Sequence, residues 1–155
     1  MAESLLAFLV ALVSALLPFL NIEVYLLGVA ALTDGGWLLA AAAAAGAGQT
    51  LGKLAYYLVG RGVLTVPWLQ RRSRTPGRWS ARIARWRERA EEHPVWAAGL
   101  LAVSSLTSVP PFMVVSVLAG TVRMPVAVFL AVTMATRTAR FAVLVCVPGA
   151  AAALL

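Results

Sequence analysis

Residues 104–112 read SSLTSVPPF, and they sit inside an apolar run, residues 95–122, that is 28 residues long. At 1.5 Å per residue a straight helix of that length extends about 42 Å, too long for one crossing of a hydrocarbon core about 30 Å thick and too short for two. Pro110 and Pro111 each lack the backbone donor that a helix needs, and Thr107 and Ser108 place hydroxyls beside them. In lipid, such a break survives only where protein or a wet cavity covers it. The stretch therefore predicts a re-entrant hairpin, helix, bend and returning helix, with its tip at Thr107, Ser108, Pro110 and Pro111. Ser104, Ser105, Thr107 and Ser108 are expected to bond the carbonyls and amides left over at the bend.

Composition supports a bilayer as the solvent. Of the 155 residues, 61% are hydrophobic and 12% charged, and the mean hydropathy is +0.87, far from the usage of an ordinary soluble domain. The start Met1-Ala2-Glu3-Ser4 has none of the basic residues of a signal-peptide n-region, so the N-terminal apolar segment is expected to remain in the mature protein. Cys146 stands alone, which leaves no disulfide framework and no thiolate metal site.

A second long apolar run, residues 5–32, is also 28 residues and is broken at Pro18, Asn21 and Glu23. Shifting the chain by 92 residues lays Pro18 on Pro110, Gly28 on Gly120 and Trp37 on Phe129, an internal repeat. Each repeat is read as a hairpin followed by a transmembrane helix: 5–32 with 37–60, and 95–122 with 126–148. Residues 61–94 join them. Nine of the thirteen basic residues fall in that linker, so it is expected at the cytoplasmic face by the positive-inside rule, not on nucleic acid. The two repeats are then inverted in the membrane, with both termini outside. The expected fold is an all-α integral membrane protein in one membrane domain, an inverted repeat of re-entrant hairpin plus transmembrane helix joined by a basic amphipathic linker helix.

Within the linker, at about 100° per residue, Trp79, Ile83, Trp86 and Ala90 share one face, while Arg78, Arg82, Arg85 and Arg89 form the adjoining stripe. Glu88, Glu91 and Glu92 are expected to point away. Tryptophan flanked by arginine suits a helix lying on an anionic leaflet, so Arg78, Trp79, Arg82, Arg85, Trp86 and Arg89 are read as an anionic-lipid surface.

Ionisable groups inside apolar segments are costly and face a protein interior or a cavity, which makes them functional candidates. Glu23 falls where the first hairpin turns back. Arg137 and Arg140 share a face of the last span at i,i+3, and two guanidiniums there can hold a phosphate or a carboxylate. An alternative for Glu23 and Arg140 is an ion pair that only locks hairpin to span. Lys53 is close enough to the cytoplasmic end of its span to snorkel. Gly48 and Gly52 have GxxxG spacing for close helix approach. No Gly-rich phosphate loop, HExxH, GxSxG or Cys/His cluster is present, so no catalytic residue, metal or cofactor is expected, and the chain does not read as an enzyme.

The combination of PFLNIEVYLLGVAAL, GAGQTLGKLAYYLVGRG and SSLTSVPPFMVVSVLAGTVRM with a later TRTARF run resembles the DedA/VTT superfamily, the SNARE-associated Golgi proteins, and is most similar to its short bacterial YqaA-like branch. The specific positions are Gly48, Gly52, Tyr57, Gly60 and Arg61 in one motif and Pro111 and Gly120 in the other. The resemblance implies two hairpins entering from opposite leaflets. It also implies translocation or scrambling of phospholipids or polyprenyl-phosphate lipids, proton-coupled in some members, with Glu23 as the hairpin acid and Arg140 as the arginine of the last span. The chain departs from better-known members at Gly52-Lys53, where they carry Gly-Asp, and at Ser104-Ser105, where they carry an arginine.

The expected function is therefore lipid transport in the plasma membrane by a multi-pass protein whose partners are membrane lipids. So few residues make a thin wall for a lipid pathway, and a homodimer would complete it. Two other functions fit the same sequence: a small-solute or ion exporter, and a non-transporting membrane scaffold acting through the basic linker.

Overall fold

A computed structural model of the chain describes residues 2–16, 22–32, 37–65, 67, 71 and 77–147. These residues form seven helices, with no strand among them: α1 (Ala2–Leu16), α2 (Ile22–Leu32), α3 (Trp37–Gly60), α4 (Gly77–Glu92), α5 (Pro94–Thr107), α6 (Phe112–Thr121) and α7 (Val126–Cys146). The all-α expectation holds. Helix order also follows the repeat, short, short, long and again short, short, long: 15, 11 and 24 residues, then 14, 10 and 21. The second long apolar run is interrupted at its prolines, after Thr107; the stretch between Leu16 and Ile22 lies outside the described residues.

Helix ends follow local chemistry. The amides of Gly62 and Val63 reach back to the carbonyls of Val59 and Leu58, and Gly62 takes φ +81°, a Schellman stop for α3 that its lack of a Cβ permits. At the end of α6, Arg123 and Met124 donate to Gly120 and Ala119 in the same pattern, but here the left-handed position, φ +54°, is filled by Arg123. His93 alone separates α4 from α5, and Pro94 opens the first turn of α5, where a missing N–H costs nothing. The last helix ends at Cys146, two residues short of the expected boundary at Pro148, which lies outside the described residues.

Among the described helices only α7 is both long and apolar enough to cross a membrane; α1, α2, α5 and α6 are apolar but shorter. The other expected span, α3, has sufficient length at 24 residues. Its alanines and glycines, with Gln49, Thr50 and Lys53, make it less apolar than α7.

The chain divides into two compact units, residues 1–52 with 133–155, and residues 53–132. The boundaries fall inside the long helices, after Gly52 in α3 and after Val132 in α7. In the first unit, Ala11 of α1, Ile22 and Leu26 of α2, Ala42 and Ala45 of α3, and Phe141, Leu144 and Val145 of α7 form the core. Small residues set its spacing. Ala7, Ala11 and Ala15, one turn apart on α1, are buried. A Cβ on Gly48 would run into the Phe8 carbonyl oxygen and come within 3.1 Å of Ala11 Cβ, and one on Gly52 would strike Ala15 Cβ. The expected GxxxG packing is thus realised against a complementary Ala-x3-Ala-x3-Ala stripe.

In the second unit α4 packs on α5 and α5 on α6. Its core joins Tyr57, Ala90, Ala97, Leu101, Phe112, Val115, Ala119, Met124 and Phe129. Here the apolar face of α4 differs from expectation: Ala90 is buried in protein and Ile83 and Trp86 are half-buried. The short His93–Pro94 connection brings the last turn of α4 against α5, so part of the face meant for a leaflet is used for packing.

Candidate functional site

The charged residues singled out in the sequence meet in the first unit. Glu23 occupies the first turn of α2, where the free amides and the helix dipole favour a carboxylate. Arg140 reaches it from α7: Nε donates to Glu23 Oε1 at 2.7 Å and Nη2 lies 2.5 Å from the same oxygen. The side chains are 12% and 4% exposed respectively. Two guanidinium nitrogens thus converge on one carboxylate oxygen inside a largely apolar unit. Arg137, one turn earlier on α7, is also buried, so the i,i+3 pair presents two cations at this level of the helix.

Other polar groups of the first unit, which the sequence reading did not select, are buried too. Gln49 of α3 donates through Nε2 to Ser14 Oγ of α1 at 2.8 Å, while Thr50 bonds back to the Gly46 carbonyl at 2.7 Å. Thr133 is fully buried on α7, and among the described residues its hydroxyl has no hydrogen-bond partner. Gly46 lies against Thr138, whose backbone nitrogen would be 3.2 Å from an added Cβ. The signal for these residues was present in the sequence as polar side chains at helical spacing within apolar helices. It was masked by the small residues around them.

The first hairpin tip, Pro18 and Asn21, lies outside the described residues. The second is described fully. Ser104 is buried, and its hydroxyl donates to the Pro110 carbonyl at 2.7 Å, closing the bend from inside. Ser108 takes φ +59° at the end of α5 and its amide bonds the Ser104 carbonyl at 2.8 Å. Thr107 Oγ1 donates to the Val103 carbonyl at 2.8 Å and accepts from the Val109 amide at 3.3 Å. Pro110 is buried, whereas Thr107, Ser108 and Pro111 are exposed. The expected work of these hydroxyls, satisfying backbone at the break, is what Ser104 and Thr107 do.

The positions that carry the family resemblance are close-approach sites. Gly60 faces the backbone of Val117, and a Cβ on Gly120 would strike the Tyr57 carbonyl and lie 2.8 Å from the Arg61 amide. Tyr57 donates its hydroxyl to the Met124 carbonyl and stacks on Phe129 at 4.7 Å. Arg61 Nη1 donates to the same hydroxyl at 2.5 Å. Tyr57, Gly60, Arg61 and Gly120 therefore fasten the end of α3 to the end of α6. Lys53, expected to snorkel, is instead 8% exposed, with Nζ 5.1 Å from the Tyr56 ring centre. An aromatic neighbour one turn along its own helix gives the ammonium a favourable face without leaving the protein.

On α4 a groove of about 480 Å³ is lined by Arg82, Arg85, Trp86, Glu88, Arg89 and Glu92. The stripe of arginines is present, but Glu88 and Glu92 share it instead of pointing away. They follow Arg85 and Arg89 by three residues, which returns them to nearly the same face. Arg78 and Trp79 belong to α4, but their side chains lie outside the described residues. Arg87 pairs with Glu91 at 2.9 Å on another side. A second, apolar groove of about 320 Å³ is lined by Trp96, Gly99, Leu100 and Val103 of α5. Among the described residues no cluster of three or more His, Cys, Asp or Glu could hold a metal ion.

No family model matches this chain, and no curated protein or solved structure matches it.

Proposed function

We propose that this chain is a multi-pass protein of the plasma membrane, built on the DedA/VTT plan with two re-entrant hairpins and a cytoplasmic basic linker, and that it moves phospholipid or polyprenyl-phosphate headgroups across the bilayer. The observation that carries the proposal is the buried Glu23–Arg140 pair with Arg137 buried beside it. A lipid phosphate is an oxyanion that hydrocarbon excludes, and guanidinium donors replace the water it must leave. Two Arg140 nitrogens converge on Glu23 Oε1, and a phosphate oxygen can take the place of that carboxylate oxygen on the same donors. Protonation of Glu23 would release Arg140 in the same way, which supplies a route to proton coupling.

The hydropathy of the chain, the apolar length of α7 and the paired interrupted runs support the membrane setting. The test is translocation of labelled lipid by the purified chain in proteoliposomes. Glu23→Gln and Arg140→Ala are each expected to slow it at least about tenfold, a barrier change of about 1.4 kcal/mol. Rates equal to wild type for both variants would refute the mechanism. Solute flux without lipid movement in the same vesicles would favour an exporter instead.

A further inference from the structure

We propose that α4 and α5 form a docking site for one glycerophospholipid whose headgroup carries both a phosphate and an ammonium. The inference rests on the membrane reading above, but not on transport, and it involves neither Glu23 nor Arg140. The groove on α4 contains both signs of charge: Arg82, Arg85 and Arg89 with Glu88 and Glu92. Among the described residues Glu88 and Glu92 form no ion pair, whereas Glu91, off the groove, pairs with Arg87. A purely anionic headgroup would gain the arginines but meet two carboxylates. A zwitterionic one places its phosphate on the guanidiniums and its ammonium on Glu88 and Glu92.

The apolar half of the ligand has a place as well. The groove on α5 is walled by Trp96, Leu100 and Val103 and floored by Gly99. A Cβ built at Gly99 would meet nothing within 4 Å, so the space above it is open. Arg89, which lines the charged groove, lies over the ring of Trp96, which lines the apolar one, at 5.7 Å. Val95 and Val103, 86% and 53% exposed, extend the apolar surface along α5. Charged and apolar grooves on packed helices, linked by the Arg89–Trp96 contact, have the polarity profile of an amphiphile and not of a free phosphate or a nucleic acid.

Native mass spectrometry of the detergent-purified full chain tests this, using phosphatidylethanolamine and phosphatidylglycerol of identical acyl chains and water-soluble phosphoethanolamine. The expected result is one phosphatidylethanolamine adduct, favoured over phosphatidylglycerol about fivefold, the scale of one or two exposed charge pairs. Glu88→Gln with Glu92→Gln should remove that preference while phosphatidylglycerol still binds. Gly99→Leu, which fills open space, should weaken both lipids and leave phosphoethanolamine unaffected. Equal occupancy of the two lipids in the wild-type chain overturns the proposal, as does a preference that survives the double glutamine variant or lipid binding unchanged by Gly99→Leu. Failure here is separable from failure of the transport mechanism, since Glu23→Gln should leave the adduct intact. A chain that remains dispersed without detergent would instead refute the membrane setting itself.

Discussion

The helix pairs α1–α2 and α5–α6 follow one another in the same way along the chain but are tied down differently. In the first unit Glu23 lies in the first turn of α2, and a buried charge pair ties it to α7. In the second the bend is closed by neutral groups: the Ser104 hydroxyl on the Pro110 carbonyl, and Thr107 on Val103. Positions related by the repeat diverge in the same way. Gly120 meets the backbone of α3, whereas a Cβ on Gly28 would meet nothing within 4 Å. Phe129 is fully buried against Tyr57, but its counterpart Trp37 is only half-buried at the start of α3. The repeat thus recurs in the order and lengths of the described helices. A few side chains make the difference: a buried ion pair in the first unit and hydroxyl hydrogen bonds in the second.

Removing one partner of the ion pair should have the largest effect on stability. Arg140→Ala removes the guanidinium bonded to the buried Glu23 carboxylate, and loss of one partner of a buried pair costs about 3–5 kcal/mol. The loss should appear as a lowered unfolding midpoint in detergent, with Glu23→Gln/Arg140→Gln recovering much of it, because the two changes are coupled. Little coupling between them would remove the distinction between the units.

Next come the close-approach glycines of the second unit. Gly120→Leu would force a side chain into the Tyr57 backbone, at about 1–3 kcal/mol or more for overpacking without room to relax. Protease sensitivity between α3 and α4 would report the loosened contact. Ser104→Ala removes a buried hydrogen bond and orphans the Pro110 carbonyl, a loss of about 1–2 kcal/mol, measurable by the same unfolding assay. The smallest effect is a gain. Arg123 occupies a left-handed helix stop that glycine tolerates better, so Arg123→Gly should stabilise the chain by up to about 1 kcal/mol.

Much of this architecture was legible in the sequence because its signals are covalent or periodic. Pro110 and Pro111 marked the break between α5 and α6, and the turn residues Gly60-Arg61-Gly62 marked the end of α3. Glu23 and Arg140 were legible because an apolar run gives so few reasons for a charge. Other features needed three dimensions. The Ala7-Ala11-Ala15 stripe has a readable spacing, yet alanine is so common in this chain that only contact with Gly48 and Gly52 gives it meaning. Burial of Lys53 depends on the ring of Tyr56, and the mixed charge of the α4 groove depends on how Glu88 and Glu92 fall beside the arginines. Tyr57 reaching Met124 spans 67 residues, a link that no local pattern encodes.

The central claim is that the first unit does the chemistry and the second shapes the fold. Its most direct test is the rate of labelled-lipid translocation in proteoliposomes for Glu23→Gln beside Ser104→Ala, each compared with the wild-type chain at equal reconstituted amounts. The account predicts a fall of at least about tenfold for Glu23→Gln and a rate within about twofold of wild type for Ser104→Ala, since loss of one hydrogen bond of about 1 kcal/mol leaves the bend closed by others. Equal rates for the two variants, or a greater loss in Ser104→Ala, would contradict it.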